Sequence, residues 1–108
     1  MKAGDIILIP FPFAELTNKK VRPAVVIAET HDKYKDIIVS AVSSVVPVKP
    51  SDMEIILDPN KENGLRVSSV IKVDRIVTLK REDKIADIGK LSKQGLSTFK
   101  DALIRMIK

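Results

Sequence analysis

No cysteine occurs in the sequence, so disulfides, thiolate zinc sites and cysteine nucleophiles are all excluded. There is a single histidine, His31. Two histidines exchanging protons therefore cannot be assembled within one chain. His31 lies in the polar stretch Glu29-Thr30-His31-Asp32-Lys33, which reads as a loop tip between strands. Tryptophan is absent, and only three Phe and one Tyr are present. The core must then be built from Ile, Val and Leu, and the β-branched members of that set favour strands. No glycine-rich phosphate loop of either common spacing occurs. The acidic residues are scattered beside Lys or Pro and do not suggest a metal site, and no cofactor is expected. Long apolar runs are missing too. The opening run is short and interrupted by Pro10 and Pro12, unlike a signal or membrane-spanning helix. The expectation is a cytoplasmic protein with no membrane association.

Positive charge is plentiful. Nineteen Lys and Arg face fourteen Asp and Glu, for a net charge of +5. Such a balance favours an anionic partner, commonly nucleic acid, although many small basic proteins bind none. The 108 residues suit one domain, 1–108. No linker, repeat or low-complexity tract divides them. Short apolar runs fill the first four-fifths: 6–9, 24–28, 37–46, 53–57, 67–73, 75–79 and 85–91. Pro, Gly and Asn signals separate them, which predicts strands of one curled sheet or barrel. From Leu96 the period changes. Leu96, Phe99, Ala102, Leu103, Met106 and Ile107 recur at helical spacing, and Ser92 is a suitable N-cap. The prediction is a small, mostly β domain with one C-terminal α-helix.

Two constellations could carry chemistry. In the first, the strands at 6–9 and 24–28 flank a polar, basic loop that ends in Arg22-Pro23. Proline biases the preceding residue toward extended geometry, so Arg22 is expected to be held at a strand mouth. A guanidinium there either binds phosphate bidentately or pairs with a nearby carboxylate. In the second, Lys72 and Asp74 fall on one face of the fifth strand. Taken alone, such a pair is commonly just solvated, worth well under about 1 kcal/mol.

The segment Gly4-Asp5-Ile6-Ile7-Leu8-Ile9-Pro10-Phe11-Pro12-Phe13, then a loop, then Arg22-Pro23-Ala24-Val25-Val26-Ile27, resembles the opening of PemK/MazF-like toxins. Ile38-Val39-Ser40-Ala41-Val42-Ser43 is similar to that family's third-strand motif. Asn63-Gly64-Leu65 with Ser68-Ser69-Val70-Ile71-Lys72-Val73-Asp74 is similar to its fifth-strand motif. The resemblance covers essentially the whole chain. It implies an SH3-like small β-barrel, a homodimer and a cognate antitoxin that blocks the active groove. It also implies metal-independent, sequence-specific cleavage of single-stranded RNA, often messenger RNA. By position, Arg22 matches the family's catalytic Arg. Ser43 falls where many members carry a catalytic Thr. Asp74 matches an Asp used in some branches, and Lys72 stands where those branches have Arg. Serine keeps the hydroxyl but loses the methyl that stiffens the rotamer. Lysine keeps the charge but loses the planar fork.

The reaction this resemblance implies is attack of a ribose 2′-OH on the adjacent phosphorus, leaving a 2′,3′-cyclic phosphate and a 5′-OH. Arg22 would stabilise the developing charge, and Ser43 would hold a phosphate oxygen or the 2′-OH. Arginine keeps its proton in proteins, so Asp74 or a partner residue is the alternative base. Thr17, Lys19 and Lys20 of the loop, with Lys72, Lys49 and Arg66, would hold the RNA backbone. Phe11 and Phe13 are expected to pack in the core rather than stack on bases. A competing reading is a binding toxin of the same barrel that poisons DNA gyrase. Those toxins rely on C-terminal residues including a Trp, which this chain lacks. An inactive family member serving as a binding module is the third reading.

Overall fold

The computed structural model describes residues 1–11 and 20–108, with the side chain of Phe11 excepted. Among the described residues, six strands precede one long helix: β1 Asp5–Phe11, β2 Lys20–Glu29, β3 Ile37–Ser43, β4 Glu54–Leu57, β5 Ser69–Leu79 and β6 Ala86–Lys90, then α1 Lys93–Ile107. A 3₁₀ turn, Arg81–Asp83, joins β5 to β6. The strands form one antiparallel sheet in the order β4-β5-β3-β2-β1-β6. The loop after β4 links the two edge strands, since the Lys90 amide donates to the Glu62 carbonyl at 3.0 Å. That link curls the sheet into the small barrel expected from the sequence.

The expected strands all form, with shifted ends. Strands β1 and β2 run through Pro10 and Pro23, where the sequence predicts breaks. Pro10 pairs with Val21 and Pro23 with Leu8 across the hairpin. The β2–β3 ladder extends only to Ala24–Ala41, so the missing amide of Pro23 falls where β2 is laddered on one side alone. Strand β3 ends at Ser43, three residues before the expected Val46. The two strands predicted at 67–73 and 75–79 are one strand, β5, with a bulge between them.

That bulge shapes the core. Ser40 pairs with Ile76 and Ala41 with Lys72, so Val73, Asp74 and Arg75 have no partner on β3. An odd number of extra residues turns every later side chain to the other face. Before the bulge, Ile71 and Val73 join a cluster with Ile6, Val25, Val42, Leu91, Phe99 and Ala102. After it, Val77 and Leu79 pack on a second cluster of Ile7, Ile9, Ala24, Val26, Ile37 and Val39. The buried Ser40 hydroxyl donates to the Val73 carbonyl at 2.9 Å, and the Val73 amide donates to Met53 at 2.9 Å, so the bulge is satisfied internally. Strands β1 to β3 are buried on both faces, which explains their unbroken apolar runs.

Helix α1 covers the first cluster. Its N-cap is Ser92, whose hydroxyl accepts from the Gly95 amide at 3.0 Å. Phe99 and Ala102 are fully buried, while Leu96 and Leu103 pack at the margin. Burying Phe99 contributes about 1.5–3 kcal/mol. Arg105, in the last turn, donates to the Asp52 carbonyl at 3.0 Å and ties the helix to the approach to β4. Among the described residues, no helix is long and apolar enough to cross a membrane.

Candidate functional site

Where the β2–β3 ladder stops, the two strands border a cavity of about 410 Å³. Its lining comes from six places: Leu8 of β1; Val21, Arg22 and Pro23 of β2; Val42 and Ser44 at the end of β3; the segment Gly64–Val67; Ser69 of β5; and Ile88 of β6. The volume falls in the range of small-ligand sites. Among the described lining residues there are two guanidiniums, those of Arg22 and Arg66, and no carboxylate. Six large aliphatic side chains form the remaining walls. A charge-bearing anion with an apolar body is the ligand class such a lining fits.

Arg22 sits within β2, not ahead of its first residue as the sequence predicts. It lies one residue before Pro23, opposite Ile9 of β1, half-buried, with Nε shielded from solvent. The β2–β3 register, extended by two residues, would set Arg22 opposite Ser43.

Ser43 ends β3 beside the cavity, but its hydroxyl accepts from the Val45 amide at 3.1 Å. It does not line the cavity; Ser44 does. Ser69, the other serine of the lining, is buried, and its hydroxyl donates to the Val67 carbonyl at 3.0 Å.

The remaining expected site residues are dispersed. Asp74 is exposed at the β5 bulge, outside the cavity lining. It stands four residues beyond Val70, the partner of Ser43, or roughly 13 Å along an extended strand. Lys72 is half-buried within β5, opposite Ala41 on one side and Glu54 on the other. Lys20 is exposed at the start of β2, and Lys49 is exposed in the segment between β3 and β4. Thr17, Lys19 and Phe13 lie outside the described residues, as does the side chain of Phe11. His31 is exposed in the β2–β3 turn, at the far end of β2 from Arg22. In that turn the Thr30 hydroxyl, with the Tyr34 and Lys35 amides, holds the Asp32 carboxyl below its usual range. Among the described residues, no three His, Cys, Asp or Glu converge as a metal site would require.

Gly64 and Leu65 line the same cavity as Arg22, and Asn63 braces them from behind the lining. The buried Asn63 side chain accepts from the Asn60 and Leu65 amides at 3.1 and 3.0 Å and donates to the Asp58 carbonyl at 2.9 Å. Gly64 has φ +68°, and a Cβ there would meet the Ile88 carbonyl at 1.9 Å. Gly89 lies as close to the same loop from the β6 side, with a virtual Cβ 2.4 Å from the Glu62 carbonyl. Both glycines therefore permit a backbone-to-backbone approach that side chains would forbid. The result seats Leu65 in the barrel wall and presents Arg66 at the cavity.

A curled six-stranded sheet with one helix, and a cavity lined by two arginines where β2 and β3 part, defines a small β-barrel with a basic mouth. The sequence matches the PemK-like, MazF-like toxins of type II toxin–antitoxin systems over residues 2–107, and the chain belongs to that family. Curated proteins offer no match. Among solved structures, the chain is similar to an endoribonuclease in complex with its cognate antitoxin from a Mycobacterial species, with a TM-score of 0.70. The likeness covers 97% of this chain and 92% of that one at 13% identity, so it is one of fold.

Proposed function

We propose that this protein is the toxin of a type II toxin–antitoxin pair and an endoribonuclease that cuts single-stranded RNA in the cavity holding Arg22. The observation that carries this reading is the cavity itself, lined by Arg22 and Arg66 and placed where the β2–β3 ladder ends at Ala24. Family membership supplies the biological setting.

The proposed reaction is transesterification. The 2′-oxygen attacks the adjacent phosphorus, the P–O5′ bond breaks, and a 2′,3′-cyclic phosphate and a 5′-OH result. DNA lacks the nucleophile and would not be cut. Negative charge concentrates on the phosphate oxygens in the transition state, where Arg22 stabilises it without giving up a proton. A hydroxyl from the end of β3 donates to the same oxygens. Ser43 is the family-matched residue, and its O–H is still free to donate while its oxygen accepts from Val45. Ser44 is the serine that lines the cavity. Asp74 enters this reading as the base only where a second copy of the chain carries it to the cavity. The proposed reaction needs no metal. A cognate antitoxin that covers the cavity would stop the reaction.

The test is cleavage of a long unstructured RNA by purified protein, with the cut ends mapped. Arg22→Ala is expected to lower the rate by about 10²–10³ or more with an unchanged thermal melt, and wild-type cutting is expected to persist in excess chelator. An Arg22→Ala protein that cuts at the wild-type rate overturns the mechanism. Asp74→Asn in the same assay assigns the base if the rate falls and removes Asp74 from the reaction if it does not.

A further inference from the structure

We infer that Tyr34 and the cavity beside it form a second contact for the RNA strand, one that takes an amino-bearing base at the far end of β2 from Arg22. This rests on the single-stranded RNA reading proposed above. A cavity of about 360 Å³ lies between the β2–β3 turn and the β5–β6 connection, lined by Tyr34, Asp36, Lys80 and Glu82. None of them lines the Arg22 cavity. Tyr34 is the sole tyrosine of the chain and is 64% exposed. The turn that carries it is tightly tied. The Asp32 carboxylate accepts from the Thr30 hydroxyl at 2.8 Å and from the Tyr34 and Lys35 amides at 3.1 and 3.3 Å. The Thr30 amide donates to the Asp36 carbonyl at 2.8 Å, and the Asp36 amide donates to the Thr30 hydroxyl at 2.9 Å. Lys35 has φ +53°, alone in that region among the described residues other than glycine. Strained backbone of this sort gathers at functional sites. The turn thus holds the backbone of an exposed aromatic residue beside a cavity, and ordering that backbone costs binding little.

The lining fits a base better than a phosphate. Asp36 and Glu82 outnumber Lys80 in it, so the cavity has no surplus of positive charge. Arg81 of the β5–β6 connection is paired with Glu29, whereas the Asp36 and Glu82 carboxylates have no ion pair among the described residues. A carboxylate accepts from an exocyclic amino group, which cytosine carries and thymine replaces with a carbonyl. Stacking on a phenol ring is tolerant of sequence, so the carboxylates supply the choice of base. A free organic cation would suit the same carboxylates. Its approach is opposed by the net charge of +5, by Lys80 and by Lys33, whose Nζ stands 5.2 Å from the Tyr34 ring centroid. A base reaches the cavity instead because the strand carries it there. From Arg22 to Glu29, β2 runs roughly 23 Å, so a strand of several nucleotides occupies both cavities together.

Tyr34 is its own reporter, because the chain has no Trp and no second Tyr. Its emission is followed while the protein is titrated with single-stranded oligodeoxycytidylate, and with oligothymidylate of the same length. Neither can react, since both lack the 2′-OH. The deoxycytidylate is expected to quench Tyr34 and the thymidylate to quench it less. Binding of fluorescein-labelled oligodeoxycytidylate, read by anisotropy, is expected to weaken about tenfold in Tyr34→Ala and to stay within about twofold of wild type in Tyr34→Phe. Asp36→Ala and Glu82→Ala are expected to narrow the preference for deoxycytidylate. Deoxycytidylate that binds with Tyr34 emission unchanged overturns the inference and leaves the RNA reading standing. So does a Tyr34→Ala protein with wild-type affinity, or a base preference that survives both carboxylate substitutions. Emission that responds to an oligoarginine peptide and to neither oligonucleotide overturns it in favour of a cationic peptide. A wild-type protein that binds no single strand overturns both this inference and the nucleic-acid reading beneath it.

Discussion

Replacing Gly64 by alanine should damage both the fold and the cavity, and the size of the effect can be worked from the backbone. Gly64 sits at φ +68°, where an L-residue costs about 1–2 kcal/mol. The added Cβ would stand 1.9 Å from the Ile88 carbonyl oxygen and 2.8 Å from its carbon. Both groups are main chain, so no rotamer change relieves the clash. The loop must leave β6, which threatens the Lys90–Glu62 hydrogen bond and the Asn63 network. One or two lost bonds add about 1–3 kcal/mol. The total is about 3 kcal/mol or more, a large share of the roughly 5–15 kcal/mol that holds a small domain. At about 4–8 °C per kcal/mol, the melting temperature should fall by roughly 12–24 °C. Far-UV circular dichroism is the suitable probe, because the chain has no Trp and one Tyr. Gly64→Asn separates the two causes. Asparagine tolerates positive φ but carries the same Cβ, so it should melt nearly as low as the alanine variant if the clash dominates. A Gly64→Ala protein that melts within about 2 °C of wild type would refute the argument, for it would mean that the loop is not pinned to β6 in solution.

Two further outcomes follow from the same geometry. Because Ser44 lines the cavity while the Ser43 hydroxyl is engaged with Val45, Ser44→Ala is expected to slow RNA cleavage more than Ser43→Ala, each measured under single-turnover conditions. The reverse order would return the hydroxyl role to the family-matched Ser43. At the helix, Ser92→Ala removes the cap accepted from the Gly95 amide. It should cost about 1 kcal/mol in chemical denaturation, with cleavage per folded molecule unaffected.

The sequence determined the elements and their class. Valine and isoleucine runs cut by Pro, Gly and Asn read as strands because that is how short β-segments end. The change to helical spacing after Ser92 read as a helix, and Ser92 is its cap in the structure. Arg22 was legible because Pro23 restricts it, and the same proline lies where the β2–β3 ladder stops. The separate runs expected at 67–73 and 75–79 are joined, because three residues without partners on β3 make a bulge within one strand rather than a turn between two.

Tertiary structure alone decided which residues meet. Pairing register, set by bulges and hairpins far apart in the chain, brings the 64–67 segment and Arg22 to one cavity and leaves Asp74 outside its lining. It also puts Ser44, rather than Ser43, on the cavity wall. The physical reason is the two-residue period of a strand: a shift of one position, or an odd bulge, reverses the face of every residue beyond it. Local sequence records that period faithfully, but the offset between strands is fixed only when the sheet closes on its core.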